Sequence, residues 1–437
     1  MDKVNSEDRS QKTEVRKISY LLSLIFLLLS VFCLLPSAFA GELSLQGFFQ
    51  TDYSLRFSDN NPPQAKKGNL LWGEERVELK GSFYPPKSKI GAFIKSDFYH
   101  DWVETEFKAD LREGYLDFTG DKFALRMGRQ IITWGVGDLL FINDVFPKDW
   151  QAFYSGRPLE YLKIGVDSLK VEVYSDLVSI EAVAIPFFEP DALPSPGRFH
   201  SFDPYPAVTN RATGKPGSTF HNTEYALRLY RYIGDFDVSV YAYKGFFRTP
   251  GMKADNFNSP STISYFYPKL VVYGMSAQKS ALGGVVSAEY GYYDSRDDRE
   301  GSNPGIDNSQ SKFLIGYQKA FPGDFTLGLQ YYGELMYEYR QYEDNLPSAF
   351  GKRQQLHQYL ALRLTKLLKY QTLKLSLFSL YSPDAEDFLL MPEVSYNFTD
   401  NLQAMLGVNI FGGSNPNTAL GQHKKDDNVQ VTVRYSF

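Results

Sequence analysis

The stretch Glu42-Leu43-Ser44-Leu45-Gln46-Gly47-Phe48-Phe49-Gln50-Thr51-Asp52-Tyr53-Ser54-Leu55-Arg56-Phe57 decides the fold. Its odd positions carry Leu43, Leu45, Gly47, Phe49, Thr51, Tyr53, Leu55 and Phe57, whereas its even positions carry Glu42, Ser44, Gln46, Phe48, Gln50, Asp52, Ser54 and Arg56. A helix would mix these two sets on every face; an extended strand separates them, because successive side chains point to opposite sides. The stretch is also longer than the ~5–6 residues of a common globular strand. Long strands with one greasy edge are what a tilted membrane-crossing sheet needs.

The same period recurs along the chain. Leu402, Ala404, Leu406, Val408 and Ile410 alternate with Gln403, Met405, Gly407 and Asn409. Phe236, Val238, Val240 and Ala242 alternate with Asp237, Ser239, Tyr241 and Tyr243, and Leu373, Leu375 and Leu377 with Thr372, Lys374 and Ser376. Leu362 to Leu368 also fits a helix locally, but Gln354 to Thr365 alternates, which favours a strand. Tight connections rich in Gly, Pro, Asp and Asn fall at Pro85-Pro86-Lys87-Ser88, Thr119-Gly120-Asp121, Ser175-Asp176, Gly234-Asp235, Pro322-Gly323-Asp324 and Thr399-Asp400-Asn401. Two more are expected near Lys279-Ser280 and Lys369-Tyr370. Between them lie long polar segments read as irregular: Ser58 to Asn69, Gly135 to Leu159, Pro186 to His221, Arg248 to Pro268, Ser295 to Gln310, Gln341 to Arg353 and Gly412 to Asp427. Short turns opposite long loops are the asymmetry of outer-membrane barrels. The count points to an all-β, transmembrane, antiparallel up-and-down barrel of about 18 strands, or about 16 if weak strands drop out. A soluble sandwich would use shorter strands, and a propeller would show a blade repeat, which is not found.

Composition agrees with that reading. The 437 residues carry a net charge of −5 and are 16% aromatic, yet mean hydropathy is −0.33. A wall greasy outside and wet inside, girdled by aromatics, has this balance. Residues 1–40 read as a cleavable signal peptide: Lys3, Arg9, Lys12, Arg16 and Lys17, an apolar run from Ile18 to Leu35, then Ala38-Phe39-Ala40 before Gly41. The alternative is an uncleaved anchor. Residues 41–437 then form one barrel domain, and the single cysteine, Cys33, lies in the removed segment. No basic excess suggests nucleic acid. His100, His200, His221, His357 and His423 are dispersed, without metal-ligand spacing, so neither metal nor cofactor is expected. Asp294, Asp297, Asp298 and Glu300 lack a calcium-loop pattern and read as a solvated acidic loop.

At the far end, Val429, Val431, Val433, Tyr435 and Phe437 share one face. The ending Val433-x-Tyr435-x-Phe437 resembles the assembly signal of outer-membrane barrels. It implies recognition by the barrel-assembly machinery through strand addition.

On the inward face, the second to fifth strands place Arg76, Lys80, Lys95, Lys108, Arg112 and Arg126, together with Glu74, Glu78, Asp97 and Asp110. Such charges cost ~2–4 kcal/mol each at mid-bilayer, so they must face water. They either brace the interior or select solutes. The third outer loop, Gly135 to Leu159, holds Asp138, Asp144 and Asp149 among Leu139, Leu140, Phe141, Ile142, Val145 and Phe146. That much apolar side chain in a loop indicates packing against something. In this respect the chain resembles Gram-negative porins, whose third loop folds inward and narrows the pore. The resemblance implies that Asp138, Asp144 and Asp149 oppose Arg76, Lys80, Arg112 and Arg126 across a constriction.

A further likeness is to porin-like barrels sharing Gly128-Arg129-Gln130-x-x-x-Trp134-Gly135, Asp144 with Pro147-x-Asp149, Pro186-x-x-x-Pro190-Asp191-x-x-Pro194, and Pro392-x-x-Ser395-Tyr396. Alginate-export barrels look similar in outline. Trp134-Gly135 can equally be a girdle residue followed by a loop-starting glycine. The implied function is an outer-membrane channel for small polar or charged solutes. Its partners would be outer-membrane lipids and lipopolysaccharide, and homo-oligomers are compatible with it. A non-conducting structural or surface-binding protein is the alternative. No Gly-x-Ser-x-Gly elbow or triad context supports an enzyme.

Overall fold

The computed structural model describes residues 43–437, so the expected signal peptide lies outside the described residues. The chain forms β1 (Leu43–Arg56), β2 (Leu70–Phe83), β3 (Ile90–Asp101), β4 (Glu106–Thr119), β5 (Phe123–Gln130), β6 (Val166–Val173) and β7 (Ser179–Ile185). It continues with β8 (Arg211–Thr213), β9 (Glu224–Ile233), β10 (Phe236–Phe246), β11 (Gly251–Ala254), β12 (Ile263–Phe266), β13 (Lys269–Ala281) and β14 (Gly284–Ser295). The last strands are β15 (Gln310–Phe321), β16 (Phe325–Met336), β17 (Leu356–Leu368), β18 (Leu373–Ser382), β19 (Asp387–Asn397), β20 (Leu402–Gly412) and β21 (Asn428–Ser436). Two short helices, α1 (Trp150–Ser155) and α2 (Tyr339–Asn345), sit in loops.

Eighteen of these strands make one antiparallel sheet. It closes because β1 pairs on one side with β2 and on the other with β21, Thr51 lying opposite both Glu75 and Val433. Closure removes the unpaired edges that lipid could not satisfy. The sidedness is the one the alternation dictates. Along β1, Leu45, Phe49 and Leu55 are about half exposed on the outer surface, while Gln50, Asp52 and Ser54 are buried toward the axis. On β21, Val431, Val433 and Tyr435 face out and Gln430 and Thr432 face in. The ambiguous segment Leu362 to Leu368 is strand, part of β17.

Two readings need correction, and one strand departs from strict alternation. The turn expected at Lys279-Ser280 lies at Leu282-Gly283, where both residues have positive φ (56° and 71°). A two-residue hairpin of this hand matches strand twist, and pairing runs to Ala281 opposite Gly284. The segments Pro186 to His221 and Arg248 to Pro268 are not wholly irregular. They supply β8, β11 and β12, which form a separate three-stranded sheet. Finally, β4 does not alternate throughout. The register slips between Lys95 and Ser96, so that Lys95 faces Glu113, Ser96 faces Leu111, and Arg112 is the extra residue of a bulge. Beyond it the inward parity changes from Lys108 and Arg112 to Tyr115 and Asp117.

Candidate functional site

The connection between β5 and β6, residues 131–165, does not stay at the rim. Its partners Lys95, Glu289 and Arg363 each lie near the middle of their strands, on different sides of the barrel. The loop therefore crosses the interior at about mid-height.

Toward β1–β5 it is held by charge. Arg157 reaches Glu74 at 3.3 Å, and Arg76 binds the same carboxylate at 2.8 Å and also pairs with Asp97. Arg112 stands 3.8 Å from Glu78, and Lys95 stands 3.2 Å from it. The ring of Tyr161 lies among three guanidinium groups, those of Arg76 and Arg112 at 4.6 Å and that of Arg157 at 4.3 Å. Cation–π attraction is worth more here than at a surface, because these groups are largely desolvated. Glu160 pairs with Arg434 and lies 3.8 Å from Lys95. Removing one member of such a set strands a buried charge, which is far costlier than losing a surface pair.

Toward the opposite wall the loop is held by apolar contact and by one carboxylate. Trp134 packs on Phe146 (5.2 Å between ring centres) and Tyr241 (5.6 Å). These join Leu140, Ile142, Phe153, Tyr243, Tyr293, Leu314, Tyr332 and Phe378 in one buried cluster that includes both loop and wall. Trp134 is thus an interior residue, not a girdle residue. Glu289 on β14 accepts hydrogen bonds from the backbone N–H groups of Val136, Gly137 and Asn143 at 2.7–3.1 Å. Gly135 has φ +81°, and a Cβ there would meet the Glu289 carboxylate at 2.5 Å, so glycine is required on two counts.

The three loop acids do not share one task. Asp138 is exposed and pairs with Arg363 on β17, 3.0 Å to Nη2. Asp144 is buried between Lys148 and Lys163, both of the loop itself, at 2.9 Å each. Asp149 accepts from the N–H of Ala152 and so caps α1, with Arg157 at 3.7 Å. None of them forms an ion pair with Arg76, Lys80, Arg112 or Arg126 among the described residues, as the porin likeness implied, although Asp149 lines one small cavity with Arg76 and Arg112. On the β1–β5 side the loop acid that meets wall cations is Glu160, and the wall acid Glu74 meets the loop cation Arg157. Of the wall cations, Arg76, Lys95 and Arg112 come together under the loop. Lys108 pairs with Asp101 (3.3 Å) and Arg126 with Asp117 (2.7 Å), while Lys80 lies 5.8 Å from the Phe93 ring. Burial lowers the pKa of the Lys148 ammonium despite the Asp144 carboxylate beside it.

Two stretches singled out in the sequence meet each other. Asp191, in Pro190-Asp191, accepts from the Lys148 N–H (2.8 Å) and the Trp150 indole N–H (2.9 Å), next to Pro147-x-Asp149. The loop is thereby clamped from above by the connection 186–223. That connection is tied in turn to the one before β21. His200 and His423 both contact Asp426, at 2.8 and 3.1 Å, and Arg56 binds Asp426 at 3.1 Å. Burial pushes the Asp426 carboxyl up, but the hydrogen bonds from His200 and His423 outweigh it and hold the group below the usual carboxylate range. In the acidic stretch 294–300, Asp294 pairs with Arg296 and Arg299, Asp297 accepts from the Lys269 N–H (2.8 Å), and Asp298 accepts from the N–H groups of Ser302 and Asn303.

Above the loop, on the long-loop side, lies a chamber of about 490 Å³. Phe141 and Trp150 of the loop, Tyr332 and Tyr359 of the wall, and the polar groups of Lys312, Glu334, Arg353, His357 and Asp384 line it. Of these, only Phe141 and His357 stand out in the sequence; a signal of loop docking lay on the neighbouring strand. On β18 the inward positions read Lys374, Ser376, Phe378 and Leu380, polar below and apolar where the loop docks.

Solved structures share this architecture. OccK2 (OpdF) of Pseudomonas aeruginosa, solved in complex with glucuronate, is 9% identical over 90% of this chain and 98% of that one, with a TM-score of 0.55. OccD3 (OpdP) of the same organism is 10% identical over 90% and 91%, with a TM-score of 0.53. At such identity the likeness is one of fold: a porin-like barrel, the architecture of outer-membrane proteins. No curated protein matches. Residues 41–297, more than half of the sequence, match the family described as a protein of unknown function, DUF1302, and the chain belongs to that family.

Proposed function

We propose that the protein is an outer-membrane channel for small polar or charged solutes, with residues 131–165 forming its constriction. The observation that carries this reading is the loop itself, held at mid-height against two sides of a closed barrel. A barrel of this strand number has an aqueous interior wherever side chains or loops do not fill it. The chamber above the loop presents ammonium, guanidinium, imidazole and carboxylate groups beside aromatic rings, which suits solutes carrying charge. No catalytic role is assigned to any residue. Val433, Tyr435 and Phe437, exposed along the outer edge of β21, are the residues we assign to recognition by the assembly machinery.

Planar-bilayer recording of the purified full chain tests the channel. Step-like ion conductance is expected once the protein is shown to be folded; silent insertion of folded protein overturns the reading.

A further inference from the structure

The outer surface of the barrel carries a groove of about 790 Å³ at the long-loop end of β6, β7, β9, β10 and β13. Its volume lies within the ~300–1,000 Å³ of ligand sites. Register explains the shape. One outward row runs Ala184, Tyr225, Lys244 and Val271, and the row nearer the short-turn rim runs Ala182, Leu227, Ala242 and Tyr273. Alanines between large neighbours leave a recess in a surface that would otherwise be level. Tyr225 and Tyr273 are about half exposed beside it.

The upper end of the recess is cationic. Lys244 and Lys269 are exposed, and neither ammonium has a salt bridge among the described residues. Arg296 stands in the same rim, its guanidinium 3.0 Å from Asp294. Two uncompensated ammonium groups at headgroup depth, above an apolar slot at acyl-chain depth, are complementary to an anionic amphiphile. A second copy of the chain fits less well, since burying this face would leave both lysines without counter-charge.

The long loops mark the outward rim, and the anionic amphiphile of that leaflet is phosphorylated lipid A. We infer that this groove binds one lipid A moiety of lipopolysaccharide, its phosphates at Lys244 and Lys269 and an acyl chain over Ala182 and Ala242. The inference rests on placement in the outer membrane and not on conduction.

The test is retention of lipid by full-length protein, purified in detergent from a Gram-negative outer membrane and washed. Lipid A and phospholipid per chain are measured by mass spectrometry, and folding is checked by heat-modifiable mobility. The unaltered protein is expected to keep lipid A in stoichiometric amount. Lys244→Gln with Lys269→Gln should lower retention roughly tenfold, and Ala182→Phe with Ala242→Phe should do the same by filling the slot. Lys319→Gln with Lys369→Gln, the same charge change at the short-turn rim, should leave it unchanged. Four results overturn the proposal: no lipid A on the unaltered protein, phospholipid in its place, equal loss in the rim control, or a change of oligomeric state in the lysine variant without lipid loss. If the filled variant does not fold, the lysine pair alone decides.

Discussion

The loop 131–165 is gripped by two unlike walls. Against β1–β5 its partners are Glu74, Arg76, Lys95 and Arg112, gathered around Tyr161. Against β10–β18 they are Tyr241, Tyr243, Tyr293, Tyr332 and Phe378, gathered around Trp134 and Phe146. The charged wall fixes direction, because guanidinium and carboxylate groups tolerate few geometries. The apolar wall supplies adhesion that depends little on pH or salt. A loop held in both ways cannot be released by a single condition.

That contrast can be broken in steps. The largest effect should come from excising residues 138–160 behind a short Gly-Ser bridge. Conductance should rise several-fold, and an unchanged value would remove the loop from the solute path. Next come two single substitutions of similar size and opposite kind. Phe146→Ala should cost ~3–5 kcal/mol through loss of a buried ring. Arg157→Ala should cost ~3–5 kcal/mol by leaving Glu74 with fewer counter-charges. Hydrogen exchange across 131–165 reads both, and a negligible change in either would show that wall to be idle.

Acidity should act on the clamp before it acts on the apolar wall. Asp426 is held below the usual carboxylate range, so its stabilisation is fully present above the unfolded value of about 3.9. It fades as pH falls below that, through the lowered folded value. Protection of residues 198–200 and 423–427 should therefore drop in strong acid, and it should not drop in Asp426→Asn, which has already lost it. The smallest effect belongs to Asp138. Its pair with Arg363 is partly exposed, and Asp138→Asn should cost less than ~1 kcal/mol. Reversal potentials should shift slightly toward anions with this change alone. Adding Asp144→Asn and Asp149→Asn should shift them no further, because those two acids are engaged within the loop.

The barrel was legible because one face of nearly every strand meets hydrocarbon, which tolerates no error of period. The interior loop was legible in part. Clustered apolar residues from Leu139 to Phe146 announced packing, and the even positions of β2 announced wall charge. Which acid meets which base was not legible, since Glu160 and Asp149 are alike as residue types and only the capping of α1 separates them. Arg112 sits at a bulge, which shifts parity without any mark in composition. The inward aromatics Tyr241 and Tyr243 occupied positions of the polar face in β10, where a tyrosine serves equally well against water or against a tryptophan. The turn at Lys369, Tyr370 and Gln371 takes positive φ at all three residues, a conformation their side chains do not advertise.

The loop's distant anchors also dictate an order of assembly. The Tyr154 carbonyl accepts from Asn409 and Asn428, 255 and 274 positions further along the sequence, and strands that late must already be in place before it can bond to them. Those two bonds therefore form only once β20 and β21 have been laid down. This anchor of the loop is thus among the contacts of longest sequence range in the molecule, the kind that slows folding.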